Sequence, residues 1–296
     1  MTMNSKRGTN SSMMSRLKPF GLPPLHDPNH ELASNRSLAM ATSIDAECAS
    51  PWTALKSRPE QSAETVSELL YGEPLQILER ADGWLKIVSV IDGYVGWLLT
   101  GATMRGMGRP THRINVPMSH IYREPNLKSE PLLPLPMASY VHINTPASVT
   151  NGFLPHENGG YIYAAHLSPL GAFSDDPVAI AERFIGTPYL WGGRTLIGMD
   201  CSALVQLSLS AAGHRVLRDS GSQFKSLGRP IEKDETPQRG DLAFFPGHVG
   251  WMVDSVHLLH ANATHMAVTI DPVESVTKWV RSEGKKKPFS GFRRLA

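Results

Sequence analysis

Hydrophobic and polar positions along the chain follow one pattern up to about residue 172 and a different pattern beyond it. In the first part, short runs of aliphatic, β-branched and aromatic residues alternate with Asp-Gly and other glycine-containing turn signals. Strands this short and this closely spaced are typical of small all-β barrels. We predict two such barrels, at residues 46–103 and 104–172.

Two stretches in the first part of the chain lack this alternation of short apolar runs and turn signals. Residues 1–45 are rich in Ser, Asn, Pro and Met with little periodicity, so we predict an N-terminal arm and not a domain. Residues 130–136 are rich in proline, which cannot donate to the ladder of a central strand. We predict that this second stretch is a connector.

Helical periodicity becomes clear only in the last part of the chain. A first helix is predicted from Pro177, which suits the first turn, to Gly186, which stops it. A second helix is predicted to begin at Cys201, with Asp200 as its N-cap, and to end at Gly213.

The residues after the second helix have β-like patterning. Its four runs lie at residues 242–245, 248–253, 258–261 and 268–270. Helices followed by antiparallel strands predict an α+β domain, at residues 173–296. The predicted fold class is therefore multidomain, with two small all-β barrels followed by an α+β domain.

Composition narrows the function classes. The chain has 296 residues, a formal net charge of +2 and 41% hydrophobic residues, so no strong charge field argues for nucleic acid or a membrane as the main partner. No apolar run approaches the ~20 residues of a membrane helix, and the N terminus lacks the continuous apolar segment of a secretory signal. The two cysteines, Cys48 and Cys201, do not make a disulfide framework. We therefore expect a cytoplasmic protein with reduced thiols.

Cys201 is the candidate nucleophile. It lies in the first turn of the predicted helix, where unpaired N–H groups and the helix dipole put partial positive charge. That environment is expected to lower the pKa of a thiol. The competing interpretation is a small buried apolar cysteine, which is the usual fate of a free cysteine.

Two of the twelve histidines favour the catalytic interpretation. His248 opens one predicted strand and His260 ends the next, so an antiparallel pair joined by a short turn brings them to one face. His248 is then the general base, and His260 orients its ring. A zinc site that adds His257 and His265 is the weaker alternative, because no compact ligand spacing is present. We expect no metal and no organic cofactor.

At this point the residues resemble a known family. The motifs are GTPYLWGG at 186–193, GMDCSALV at 198–205, RGDL at 239–242 and GHVG at 247–250, with a later His-Ala pair. Their order and spacing are similar to the catalytic signature of NlpC-type cysteine peptidases, which implies a papain-like core with a Cys–His–polar triad. The resemblance implies Cys201 as nucleophile, His248 as base and His260 as third member, with the backbone around Ser202 or the Tyr189 side chain stabilising the oxyanion. Ala203 departs from the glycine usual in the family, and we expect that the site tolerates it.

The upstream segments resemble bacterial SH3-type barrels, the second more divergent than the first. Two such barrels before an NlpC domain are similar to murein-recycling γ-D-glutamyl-L-diamino-acid peptidases. In that group the first barrel walls off the pocket, and a barrel carboxylate, a barrel Tyr and an Asp after the catalytic helix hold the substrate ammonium. The resemblance implies Tyr94 and Asp219 for the last two, with Glu68 as first choice for the carboxylate and Glu73 as second.

The resemblance implies a cysteine peptidase that hydrolyses the γ-D-glutamyl–L-diamino acid bond of free murein peptides with an unblocked N-terminal L-Ala. It releases L-Ala-γ-D-Glu in cell-wall peptide recycling. Murein peptides are the expected partners, without nucleic acid or membrane. The alternatives are an endopeptidase acting on intact peptidoglycan and a non-catalytic murein-binding module. The sequence leaves open the choice between diaminopimelate and lysine, and the oligomeric state.

Overall fold

Strands dominate the first half of the chain in the computed structural model, which describes residues 44–104, 109–143, 148–232 and 234–295. Almost all of the predicted arm, residues 1–45, lies outside the described residues. The described residues form a first β unit (46–104), a second β unit (112–169) and a C-terminal α+β unit (177–294).

The first β unit is one antiparallel sheet with the strand order β3-β2-β6-β5-β4-β1-β7. Its strands are β1 Ala46–Cys48, β2 Trp52–Lys56, β3 Thr65–Leu70, β4 Pro74–Ala81, β5 Trp84–Ser89, β6 Val95–Leu99 and β7 Thr103–Met104. In β5, Leu85 and Ile87 alternate with more exposed neighbours and enter the core, which gives the sheet one buried face. The turn between β4 and β5 has positive φ at Asp82 and Gly83, as a tight two-residue hairpin requires.

The second β unit consists of two sheets, ordered β10-β9-β13-β12 and β11-β8-β14. Its strands are β8 His112–Ile114, β9 Met118–Tyr122, β10 Pro131–Pro136, β11 Tyr140–Val141, β12 Phe153–Pro155, β13 Tyr161–Tyr163 and β14 Leu167–Pro169. The proline-rich connector predicted at 130–136 is wrong, because most of that stretch is strand β10. Proline is accommodated there because β10 lies at the edge of its sheet and its register shifts between Pro131 and Leu133.

The C-terminal unit packs helices against a sheet with the order β17-β22-β18-β19-β20-β21. Its elements are α1 Pro177–Glu182, β15 Arg194–Thr195, β16 Gly198–Met199, α2 Cys201–Ala211, α3 Ser220–Ser226, β17 Arg229–Pro230, β18 Leu242–Phe245, β19 His248–Met252, β20 His257–Asn262, β21 Ala267–Pro272, α4 Val273–Ser282 and β22 Gly291–Arg294. The predicted start and N-cap of α2 are confirmed, and so are the four predicted β runs.

Helix α2 is the central element of the whole chain. Its first nine residues, 201–209, are all buried, so it carries no polar outer face. Leu70 of the first β unit and Met137, just after β10, belong to the same hydrophobic cluster as α2. The nucleophile-bearing helix is therefore held by all three units.

Three helical features differ from the prediction. Helix α1 ends at Glu182, before Gly186, and α3 and α4 were expected to be β-like or irregular. Helix α4 is rich in Val and Thr, residues that favour strands, and forms because Val276 and Val280 pack into a core cluster with Phe245. Across the described part of the chain, no helix has the length and apolarity needed to cross a membrane.

Candidate active site

Cys201 is the first residue of α2. The N-cap residue Asp200 accepts the backbone N–H of Ala203 through Oδ1 at 2.9 Å and that of Gly192 through Oδ2 at 3.0 Å. The side chain of Ala203 is fully buried in the core, so the departure from the family's glycine leaves the cap intact. Both cysteines are free thiols, and Cys201 is 7% exposed.

The pKa of Cys201 differs from the expectation based on the helix N terminus. Burial, and then the charge of Asp200, raise the pKa of Cys201 to about 12. The backbone N–H groups of Val249 and Ser202 oppose this rise by stabilising the thiolate. The predicted lowering is therefore wrong for this site, and Cys201 needs a base to remove its proton.

His248 and His260 contact each other as predicted. His248 Nε2 lies 2.7 Å from His260 Nδ1, and the two rings meet edge to face. Strands β19 and β20 pair with Trp251 opposite Leu259, a register that puts Gly250 opposite His260 and His248 on the diagonal. A Cβ on Gly250 would lie 2.8 Å from the Cβ of His260, so the glycine provides the space that the ring needs.

Both imidazoles are neutral. Burial, and then the neighbouring His260, hold the pKa of His248 well below its usual value. Burial lowers the pKa of His260 to about 4, even though Asp271 acts in the opposite direction. Val249, the residue after His248, has its backbone N–H hydrogen-bonded to the Cys201 sulfur. A neutral imidazole at His248 is the form that a general base needs before reaction.

Sequence reasoning missed Asp271, which lies in β21. Its Oδ2 is 3.2 Å from His260 Nε2 and accepts the Thr269 hydroxyl at 2.6 Å. Its Oδ1 is 3.2 Å from Nε2 of His265, a residue named above only for the alternative zinc site. No motif marks Asp271, because its link to the site depends on the pairing of β20 with β21.

The two predicted oxyanion groups differ in availability. The Ser202 hydroxyl donates to Asp200 Oδ1 at 3.1 Å and accepts from Arg218 Nη1 at 2.8 Å, so its side chain is fully engaged. The Ser202 backbone N–H lies at the Cys201 sulfur. Burial, and then the nearby Cys201, raise the pKa of Tyr189, which keeps its phenol protonated and able to donate.

A buried ion pair stands beside the nucleophile. Arg218 Nη2 donates to Asp200 Oδ2 at 2.6 Å, and Arg218 Nε donates to Ser67 Oγ in β3 at 3.0 Å. Arg218 therefore connects the residue before Cys201 to the first β unit. Its signal in the sequence was its position next to Asp219, the residue predicted to bind substrate.

The structure separates the two candidate carboxylates, Glu68 and Glu73. Glu73 accepts both terminal nitrogens of the buried Arg194 at 2.8 and 2.9 Å, and also the N–H of Leu70. Within the described ranges, the Glu68 carboxylate accepts only the backbone N–H of Arg194, at 2.7 Å, and Glu68 is 6% exposed. Burial raises the pKa of Glu68, as expected for a carboxyl without a full counter-charge. Glu73 is therefore committed to an ion pair, whereas the Glu68 carboxylate is held by a backbone N–H.

Tyr94 and Asp219 are close to each other across the boundary between the units. Burial, and then the charge of Asp219, raise the pKa of Tyr94 well above its usual value. Asp219 is 8% exposed and stands at the N-cap position of α3, but its side chain makes no capping hydrogen bond. Tyr94 also belongs to the hydrophobic core of the first β unit.

Among the described residues, no group of three or more His, Cys, Asp or Glu side chains is arranged to hold a metal ion. His257, one of the proposed zinc ligands, instead pairs with Asp254 at 2.8 Å in the turn after β19.

Comparisons with known proteins assign two regions of the chain. Residues 186–282 match the NlpC/P60 family, and residues 55–102 match the bacterial dipeptidyl-peptidase Sh3 domain. Dipeptidyl-peptidase 6 of Lysinibacillus sphaericus is 28% identical over 242 residues, which cover 74% of this chain and 88% of that protein. Gamma-D-glutamyl-L-lysine dipeptidyl-peptidase of Bacillus cereus is 24% identical over 238 residues, 71% of each chain.

A solved structure supports the fold. The NlpC/P60 family protein from Bacillus cereus ATCC 10987 superposes with a TM-score of 0.68 at 18% identity, covering 84% of this chain and 99% of that one. At this identity the likeness concerns the fold alone. The motifs around Cys201, the elements that carry them and the two family matches agree. The chain therefore combines an NlpC/P60 papain-like domain with a bacterial dipeptidyl-peptidase SH3 domain.

Proposed function

We propose that this protein is a cysteine peptidase that hydrolyses the γ-D-glutamyl–L-diamino acid bond of free murein peptides carrying an unblocked N-terminal L-Ala. The product is L-Ala-γ-D-Glu. The observation that carries the proposal is the set of buried polar groups that the first β unit contributes near Asp200, the residue before Cys201. Glu68 and Tyr94 are both buried there, and Tyr94 senses the charge of Asp219. The names of the dipeptidyl-peptidase relatives support the same reaction.

The acylation step follows from the proton inventory of the site. His248 takes the proton of Cys201 through Nδ1, the ring nitrogen that His260 does not contact. The sulfur then attacks the γ-carbonyl carbon of D-Glu, and the resulting oxyanion accepts the Ser202 N–H and the Tyr189 hydroxyl. Collapse breaks the C–N bond, and the amine of the diamino acid leaves with the proton held on His248.

Deacylation restores the enzyme. A water molecule gives its proton to His248 as its oxygen attacks the thioester carbon. The C–S bond breaks, the acid product L-Ala-γ-D-Glu leaves, and the sulfur recovers the proton from His248. No oxidant, metal or organic cofactor enters these steps.

Recognition of the N terminus rests on charge. Burying an ammonium is costly unless carboxylates pair with it. Glu68 and Asp219 supply two such carboxylates, and the Tyr94 hydroxyl supplies an oxygen acceptor. In the proposed complex these groups close one end of the binding pocket, so that two residues fit before the scissile bond. This arrangement yields a dipeptide product and excludes cross-linked murein.

Three further statements belong to this proposal. The second β unit is a divergent SH3-type barrel, and both β units form closed barrels. The domain boundaries follow the predicted ranges 46–103, 104–172 and 173–296. The protein works in the cytoplasm, in recycling of cell-wall peptides, and fractionation of cells that express the tagged full-length chain tests this location.

The central test is a product assay on L-Ala-γ-D-Glu-diaminopimelate, its lysine counterpart, its N-acetylated form and intact murein sacculi. We expect L-Ala-γ-D-Glu from the free tripeptides and no release from sacculi. Acetylation should lower kcat/KM by about 10²- to 10³-fold, since two carboxylates then lose their charged partner.

Controls separate the parts of the proposal. Cys201→Ala should abolish turnover while retaining peptide binding, and Cys48→Ala is the matched cysteine control because Cys48 is buried within the first β unit. Cleavage of sacculi would favour an endopeptidase with an open groove. Binding without turnover by the wild type would favour a murein-binding module.

A further inference from the structure

His260 is hydrogen-bonded through both of its ring nitrogens. Nδ1 lies 2.7 Å from His248 Nε2, and Nε2 lies 3.2 Å from Asp271 Oδ2. The His260 side chain is 1% exposed, and that of Asp271 is 15% exposed. A chain of contacts thus runs from the partly exposed carboxylate of Asp271 through the His260 ring to His248, the base proposed for Cys201.

Besides His260, the Asp271 carboxylate is held by one group from its own strand and one from the turn before that strand. Thr269, in the same strand, donates its hydroxyl to Oδ2 at 2.6 Å. His265, which lies before β21 and is 43% exposed, contacts Oδ1 at 3.2 Å. Thr269 and the two histidines lower the pKa of Asp271, although partial burial acts in the opposite direction. Asp271 is an anion at neutral pH.

A carboxylate oxygen can only accept a hydrogen bond, so the His260 nitrogen that faces Asp271 carries the proton. His260 Nδ1 then holds a lone pair and accepts the N–H of His248 Nε2. The other nitrogen of His248, Nδ1, is left with a lone pair. That lone pair is what a general base needs to take the thiol proton.

The opposite proton order would disable the site. If His260 Nδ1 carried the proton, it would donate to His248 Nε2, and His248 Nδ1 would be protonated and unable to act as a base. A competing donor is present for that state, since Asn262 Nδ2 lies 3.3 Å from His260 Nε2. In the structure Asn262 Nδ2 has a closer partner, the Thr269 hydroxyl at 2.8 Å.

We propose that Asp271 is a positioning residue that fixes the proton order along His260 and His248, so that Nδ1 of His248 is the base for Cys201. The inference rests on the proposed thiol chemistry and is independent of which peptide is cleaved. When His248 takes the thiol proton, Asp271 also stabilises the positive charge that the two rings share. The groups facing Asp271 are His260, His265 and Thr269, and those facing the His248 ring are His260 and the aromatic ring of Phe245.

The test replaces Asp271 with Leu, which has a similar size but no acceptor. Among the described residues, Asn262 Nδ2 is then the partner of His260 Nε2. The disabled proton order is expected to become the major one, with the active order left as a minor fraction. Ring ¹⁵N chemical shifts of histidine-labelled protein, assigned with His248→Ala and His260→Ala, report which nitrogen is protonated. In Asp271→Leu they should show the His248 proton on Nδ1 instead of Nε2. We expect kcat to fall about 10- to 100-fold, less than the ~10⁴-fold cost of disturbing the direct partner of a catalytic histidine, with KM changed less than about twofold.

A substrate-free measurement keeps this test separate from the assignment of the peptide. The rate of Cys201 alkylation by iodoacetamide at pH 7 should fall about 10-fold or more in Asp271→Leu. Asp271→Asn, which keeps the shape and removes the charge, is the second variant in case the leucine variant does not fold. Its alkylation rate should fall in the same direction.

Asp254→Asn is the matched control, because it disturbs an Asp–His pair of similar geometry in the turn away from the site. It should leave alkylation and the His248 shifts as in the wild type. Wild-type alkylation rates in a folded Asp271 variant would overturn the proposal. So would a lower kcat with unchanged ¹⁵N shifts, since Asp271 would then act only on the local structure.

Discussion

The two β units contact the same catalytic helix but at opposite ends and through different chemistry. The first unit is joined by buried polar contacts to residues near the N-terminal end of α2. Glu73 binds Arg194, and Ser67 accepts from Arg218, which itself pairs with the N-cap residue Asp200. The second unit meets the C-terminal end, where Arg113 donates to backbone carbonyls.

The contacts of Arg113 resemble a helix cap supplied from another part of the chain. Its guanidinium donates to the carbonyls of Ser210 and Ala211, the last residues of α2, and to that of Ala172. A cation at this end complements the helix dipole. Two regions with similar secondary structure thus have different relations to α2. The first is linked through Arg218 to the N-cap residue, and the second binds the last carbonyls of the helix.

The largest expected effect concerns the buried ion pair of the first unit. Arg194→Met leaves Glu73 buried without its partner, which should lower the free energy of unfolding by about 3–5 kcal/mol. Urea denaturation at pH 7 measures this. Arg123→Met is the control, because Arg123 pairs with Glu130 on the exposed surface of the second unit and should cost less than about 1 kcal/mol. Equal losses of stability in the two variants would mean that the buried Arg194–Glu73 pair between the units stabilises the fold no more than an exposed surface pair does.

The next effect sharpens the role of the first unit in substrate binding. Glu68→Gln should lower kcat/KM for the free tripeptide about 100-fold, because a charge-assisted contact with the substrate ammonium is lost. The N-acetylated tripeptide, which has no ammonium, should be cleaved at nearly the same rate by variant and wild type. Glu130→Gln, in the second unit, should leave both rates unchanged. A general loss on both peptides would instead indicate a structural role for Glu68.

A smaller effect tests whether the second unit acts only as a support. Arg113→Met removes donors from three carbonyls and should cost about 1–3 kcal/mol of stability. The value of kcat/KM, measured well below the unfolding transition, should change less than about threefold. A loss as large as that of Glu68→Gln would break the comparison, since the second unit would then control the site.

The smallest effect concerns the exposed rim of the first interface. Trp191 Nε1 donates to Glu64 Oε1 at 2.8 Å, and both residues are exposed. Trp191→Phe should change the free energy of unfolding by less than about 1 kcal/mol, because water replaces this hydrogen bond. Thermal denaturation of Trp191→Phe and of Arg194→Met, measured in parallel, compares the stability that the exposed and the buried contacts of this interface contribute. A loss above about 2 kcal/mol would contradict this.

The sequence predicted those parts of the site that local pattern determines. The N-cap at Asp200, the helix start at Cys201 and the hairpin that joins His248 to His260 all depend on neighbouring residues. Arg194 and Arg218 were missed because their partners Glu73 and Ser67 lie far along the chain. Asp271 was missed because its contact with His260 depends on how β21 pairs with β20. The predicted shift in the pKa of Cys201 had the wrong direction, because the burial that raises this pKa depends on tertiary packing.

The fold shows the same limit. Short strands were predicted from alternation and turns, and β10 was missed because its edge position, which tolerates proline, is a property of the sheet and not of the segment. Helix α4 was missed because its Val and Thr residues favour strands, and tertiary packing overrides that preference. Where tertiary packing determines whether a segment forms a helix or a strand, the periodicity of its sequence does not predict the outcome.

Gly250 links the chemistry to the way the sheet is assembled. Its φ is not in the left-handed region, so the glycine serves for space and not for conformational freedom. A slip of β20 by one residue would turn every side chain of that strand to the other face of the sheet, and would bring Leu259 or Ala261 opposite Gly250 in place of His260. The missing side chain thus acts as a register mark, and a folding intermediate with misaligned strands would be inactive even with every catalytic residue present.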